Sequence, residues 1–78
     1  MMKLTNEIIR RKVKNRDFNN IGNWNVSEVT NMNSLFLNCQ EFNYDISKWD
    51  VSNVTDMSSM FYNCSNYITY PIEISQIT

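Results

Sequence analysis

Residues 21–39 of this chain return, with a shift of 25, as residues 46–64. Ile21, Trp24, Val26, Ser27, Val29, Thr30, Met32, Ser34, Phe36, Asn38 and Cys39 recur in place as Ile46, Trp49, Val51, Ser52, Val54, Thr55, Met57, Ser59, Phe61, Asn63 and Cys64. A fixed period of this length marks an architecture of stacked units, each burying its apolar face against the next. A partial unit precedes the first repeat, since Asp17, Phe18 and Asn19 resemble Glu41, Phe42 and Asn43. Another starts at Tyr67 and Ile68 and then departs from the pattern.

Inside a unit, Phe42, Ile46, Trp49, Val51, Val54, Met57, Phe61 and Cys64 form an apolar series. Its spacing is too irregular for one long helix and too broken for one long strand. It suits short straight sides with tight corners, where Asn25, Ser27, Asp50 and Ser52 can bond neighbouring backbone groups. Residues 32–39 and 57–64 have helix-compatible spacing for about two turns each. The expected fold class is therefore α/β, with about two and a half coils. Three short parallel strands are expected near residues 19–23, 44–48 and 68–74, joined by two helical crossovers. Pro71 suits an edge strand better than a central one.

Charge divides the chain into a basic head and an acidic body. Residues 1–16 hold Lys3, Arg10, Arg11, Lys12, Lys14 and Arg16 against Glu7, a balance of +6 − 1 = +5. The remainder holds Lys48 against Asp17, Glu28, Glu41, Asp45, Asp50, Asp56 and Glu73, or +1 − 7 = −6. The head reads as a short helix with Thr5 or Asn6 at its N-cap and Glu7 in its first turn. Leu4 with Ile8, and Ile9 with Val13, supply an apolar stripe that packs on the body as an N-terminal cap. Arg10, Arg11, Lys12 and Lys14 form the patch that nucleic acid or an anionic membrane would use.

The chain of 78 residues, with two cysteines and no histidine, forms a single domain with a thin core. It divides into a head at 1–16, two repeats over 17–66 and a tail at 67–78. A Cys/His zinc site cannot be assembled, and no histidine serves as general base, so no enzyme, metal or cofactor is expected. Asp45, Asp50 and Asp56 do not read as a calcium site, because Asn25 and Asn31 stand where Asp50 and Asp56 recur and no glycine-containing acidic loop is present. Cys39 and Cys64 fall one repeat apart. Stacking would bring them to neighbouring layers, where a bridge is one reading, although in an intracellular chain two buried apolar residues is the preferred one. Trp24 and Trp49 are expected to stack. No apolar run of signal-peptide or membrane-spanning type is present, which leads to an expectation of an intracellular chain.

The series at residues 42–64, Phe-Asn-Tyr-Asp-Ile-Ser-Lys-Trp-Asp-Val-Ser-Asn-Val-Thr-Asp-Met-Ser-Ser-Met-Phe-Tyr-Asn-Cys, resembles the BspA-like repeat. That repeat occurs in surface lipoproteins of mycoplasmas and other bacteria, in protist surface proteins and in giant DNA viruses. The resemblance implies a leucine-rich-repeat-like solenoid with a helical cap that binds proteins or builds surfaces. Tyr67, Ile68, Tyr70, Ile72, Ile74 and Ile77 make an apolar, β-prone tail whose edge a partner or another copy would complete. The expected function is thus a small structural or assembly component, set in a giant-virus particle by the short chain and its Asn-, Ile-, Lys- and Tyr-rich composition. The competing expectations are an adaptor for cellular proteins and a nucleic-acid or membrane binder working through the basic head.

Overall fold

The stripe of Leu4, Ile9 and Val13 organises the start of the chain, because burying it requires a helix laid against the first repeat. A computed structural model describes residues 2–65 and places helix α1 over Asn6–Lys14. The Thr5 hydroxyl accepts from the Ile8 N–H at 3.2 Å, capping the first turn, and Glu7 stands in that turn. Leu4, Ile9 and Val13 are buried. Asn6 ties the cap to the first repeat. Its side-chain oxygen accepts from the N–H groups of Thr30 (2.9 Å) and Asn31 (3.3 Å), and its amide donates to Thr30 Oγ1.

The expected α/β solenoid with parallel strands is not what forms. Among the described residues there is no sheet and no strand, and these residues pack into a small compact globule. Parallel pairing is limited to two isolated bridges, Lys3 with Asn25 and Asn31 with Asp56. Residues 19–23 bend instead of extending: Asn20 is left-handed (φ 58°) and opens a single 3-10 turn, Ile21–Asn23. Around residues 44–48, Asp45 accepts from the Ser47 N–H and the Trp49 N–H turns back to the Ile46 carbonyl. Both stretches satisfy their polar groups locally, which leaves no ladder to build. The third expected strand, at 68–74, lies outside the described residues.

The two expected helical crossovers are also replaced. Residues 32–39 and 57–64 are runs of consecutive β-turns, closed by Leu35 to Met32, Leu37 to Ser34 and Cys39 to Phe36, and again by Met60 to Met57, Tyr62 to Ser59 and Cys64 to Phe61. Ser34, Asn38, Ser59 and Asn63 take positive φ between 56° and 62°, as the third residue of a type II turn must. The turn runs lie on one another in register. The N–H groups of Met32, Ser34, Phe36 and Asn38 donate to the carbonyls of Asp56, Ser58, Met60 and Tyr62 at 2.8–3.0 Å. Gly22 marks a close approach between units, since a Cβ there would sit 3.0 Å from the Asp45 carbonyl oxygen.

The core runs continuously from the cap through both repeats. Ile21, Val26, Val29, Met32, Phe36 and Cys39 of the first unit and Ile46, Trp49, Val51, Val54, Met57 and Met60 of the second are buried. At its centre Phe36 meets Phe42 (ring centroids 4.2 Å), Phe61 (5.7 Å), Trp49 (6.2 Å) and Phe18 (6.3 Å).

Candidate contact surface

The register that stacks the units also aligns their outward residues. Leu37 and Tyr62 occupy equivalent positions and project from neighbouring turns, 41% and 67% exposed, while Phe36 and Cys39 of the first turn are buried and Phe61 and Cys64 of the second are half-buried. Asn38 and Asn63 flank them and are joined by a side-chain hydrogen bond, Asn63 Nδ2 to Asn38 Oδ1, at 2.9 Å. An apolar pair held on a rigid, hydrogen-bonded backbone loses little entropy when covered, so it suits contact with another apolar surface. Tyr44 is also exposed, and its ring leans on Phe18 and Phe42. Neither Leu37 nor Tyr62 was anticipated. Their signal was an apolar residue preceding the left-handed Asn of each repeat, a position that must face outward once the turn geometry is known.

Arg10, Arg11, Lys12 and Lys14, the residues of the basic head, all lie on α1 and differ in their partners. Arg10 donates to the Asn31 side chain at 3.1 Å. Arg11 pairs with Glu7 one helical turn away (3.7 Å), and Lys12 reaches Asp17 at 3.4 Å. Lys14 is exposed and has no ion pair among the described residues. Lys3 meets Glu28 and Arg16 meets Glu41, so the cap is sutured to the body by opposite charge. Such exposed pairs contribute little stability one by one, but they lower the local positive field.

Lys12 does a second thing: its ammonium stands 5.3 Å from the centre of the Trp24 ring. Trp24 also stacks on Trp49, at 6.1 Å with 16° between planes, as the repeat implied. Both indole N–H groups are satisfied, Trp24 by the Asn19 carbonyl (2.9 Å) and Trp49 by the Ile21 carbonyl (2.8 Å). A cavity of about 440 Å³ opens beside Trp24, lined by Lys12, Asp17, Asn19, Asn20 and Asn23 among others. The tail residues Tyr67, Ile68, Tyr70, Ile72, Ile74 and Ile77 lie outside the described residues.

The corners are held as their sequence suggested. Asn25 Oδ1 accepts from the Ser27 N–H and hydroxyl, and Asp50 Oδ1 accepts the same two groups of Ser52. The motif also recurs where it was not anticipated, with Asn31 accepting from the Asn33 N–H and Asp56 from the Ser58 N–H and hydroxyl. The hydroxyls of Ser52 and Ser58 hold the Asp50 and Asp56 carboxyls below their ordinary range, and the Ser47 N–H does so for Asp45. Because the folded pKa is depressed, this stabilisation is present above the unfolded value near pH 4 and is lost as pH falls through the folded value. Asn25 and Asn31 already perform the role of Asp50 and Asp56 without a charge. The Asp50→Asn/Asp56→Asn variant is therefore expected to keep its urea midpoint at about pH 7 and to lose less of it than the wild type at about pH 3. Parallel acid dependence of the two proteins would show that these carboxylates are not the groups being titrated.

The fold and its outer face define a class: a capped domain of two stacked, turn-built repeats with an ordered, partly apolar surface. The family model described as "Mycoplasma protein of unknown function, DUF285" matches residues 6–76, and the chain belongs to that family. No curated protein and no solved structure matches the chain. Among the described residues, no helix is long and apolar enough to cross a membrane.

Proposed function

We propose that this protein is a non-catalytic repeat module whose work is protein–protein contact, first of all with further copies of itself in an assembly. The observation that carries this reading is the register of Leu37 over Tyr62, which places exposed apolar side chains in line on a backbone already fixed by hydrogen bonds between units. Membership of a repeat-built family supports it. The finer identity, a BspA-like repeat protein serving in a giant-virus particle, belongs to the same proposal and rests on the repeat sequence and the composition. The apolar tail, Tyr67 to Ile77, is a second contact element in this scheme.

Light scattering behind size exclusion, with circular dichroism on the same peak, tests it. The wild type is expected to gain mass with concentration while remaining folded. Leu37→Asp/Tyr62→Asp removes the ridge and is expected to leave a folded monomer; Ile72→Lys/Ile74→Lys isolates the contribution of the tail. A folded wild type that stays monomeric at every concentration would overturn self-assembly and favour an adaptor for a different protein.

A further inference from the structure

Cys39 and Cys64 are the only cysteines in the sequence, and both are free. They hold equivalent places in neighbouring units, flanked by the Asn38 N–H to Tyr62 carbonyl bond (2.9 Å) and the Asn63 to Asn38 side-chain bond (2.9 Å). Most telling is a shared acceptor. The Phe36 carbonyl oxygen accepts from the Cys39 N–H at 3.0 Å and from the Cys64 thiol at 2.9 Å. The Cys64 sulfur thus lies against the turn that carries Cys39. Hydrogen-bonded neighbouring segments lie about 5 Å apart, inside the roughly 4.4–6.8 Å Cα separation that a disulfide spans.

We propose that Cys39 and Cys64 form a reversible disulfide that staples the second repeat to the first. The reaction is thiol–disulfide exchange with a small-molecule disulfide such as oxidised glutathione. The Cys64 thiolate, half-buried and therefore within reach of solvent, attacks one glutathione sulfur and releases one glutathione thiolate. Cys39, buried beneath it, then attacks the Cys64 sulfur of the mixed disulfide. One S–S bond joins the two repeats, the oxidant is reduced to two glutathione thiols, and the protons of the two cysteine thiols pass to the departing thiolates. Burial pushes both thiols above their ordinary pKa, so the exchange is slow at neutral pH and accelerates toward alkaline pH. The bond closes a loop of one repeat and constrains the unfolded chain, whereas in the reduced protein the repeats are held by the turn register and the shared core.

Folded protein is incubated with oxidised glutathione at mildly alkaline pH, quenched with acid and measured by intact mass and by thermal melting without reductant. The expected product has lost the mass of two hydrogens, carries no glutathione, and melts about 10 °C above the reduced protein, a gain that dithiothreitol reverses. Cys39→Ser and Cys64→Ser are each expected to give no such product and no shift in melting. A stable glutathione adduct on the wild type, a covalent dimer, or oxidation only after denaturation would each overturn the proposal, since each means that the sulfurs do not meet in the fold.

Discussion

Replacing Phe36 with alanine is expected to abolish cooperative folding at ambient temperature. The Phe36 ring is fully buried and touches Phe18 from the partial unit under the cap, Phe42 and Trp49 from the start of the second unit, and Phe61 from its end. Truncating a core phenylalanine costs about 3–5 kcal/mol, through lost transfer energy and the cavity left behind. A domain of this length has roughly 0.05–0.15 kcal/mol per residue in hand, about 4–12 kcal/mol in all. The loss takes most of that stability where a thin core leaves the chain toward the lower end of the range. Urea titration followed by tryptophan fluorescence should show the wild-type transition moved to very low denaturant or absent. Phe36→Leu, which keeps most of the volume, should retain a cooperative transition at a cost of about 1 kcal/mol. A wild-type midpoint for Phe36→Ala would mean that the aromatic cluster does not join the units.

The hub role of Phe36 was only partly legible in the sequence. The repeat shows Phe36 and Phe61 as equivalent positions, and the register of the units follows directly from that equivalence. What differs is their surroundings: Phe36 has a layer on both sides and is fully covered, whereas Phe61 is half-buried. The cap was legible because its signals are local, with Thr5 before an apolar stripe and cations gathered toward the C-terminal end of Asn6–Lys14. The corners at Asn25 and Asp50 were legible for the same reason.

The strands and crossovers were misread because hydrophobic spacing does not distinguish a helix from a chain of β-turns. Met32, Leu35, Phe36 and Cys39 stand at i, i+3, i+4 and i+7 and are all buried, the pattern of an amphipathic helix. Yet the backbone between them passes through the left-handed region at Ser34 and Asn38. The distinguishing signal was polar: Ser and Asn at those two places in both units, types that leave a helix readily and, in the case of Asn, tolerate positive φ. The charge division gives the sign of each segment but not which charges pair. A sum of +5 over the head is correct, but Glu28, Asp17 and Glu41 reach back to Lys3, Lys12 and Arg16 from later in the chain. Composition cannot register pairing between segments that only the fold brings together.

That left-handed backbone supplies the second large expected effect. At φ 62°, Asn38 holds the third place of the turn closed by the Cys39 N–H and the Phe36 carbonyl, while its own N–H donates to Tyr62 and its side chain accepts from Asn63. Asn38→Val places a β-branched side chain where L-residues already pay about 1–2 kcal/mol, and it removes a side-chain hydrogen bond that contributes about 1 kcal/mol. A total loss of about 2–3 kcal/mol is expected, from a position whose side chain is exposed to solvent. Surface substitutions ordinarily stay within about 0.5 kcal/mol, so burial alone would forecast almost nothing. Asn38→Gly separates the two causes. It loses the same side-chain bond but enters the left-handed region freely, so it is expected to remain within about 1 kcal/mol of the wild type. Chemical denaturation of the three proteins decides between a turn-built and a helical segment. In a helix interior glycine is the worse substitution and valine the milder one. In the observed turn the order reverses, because position 38 requires a positive φ that glycine enters freely and a β-branched residue does not.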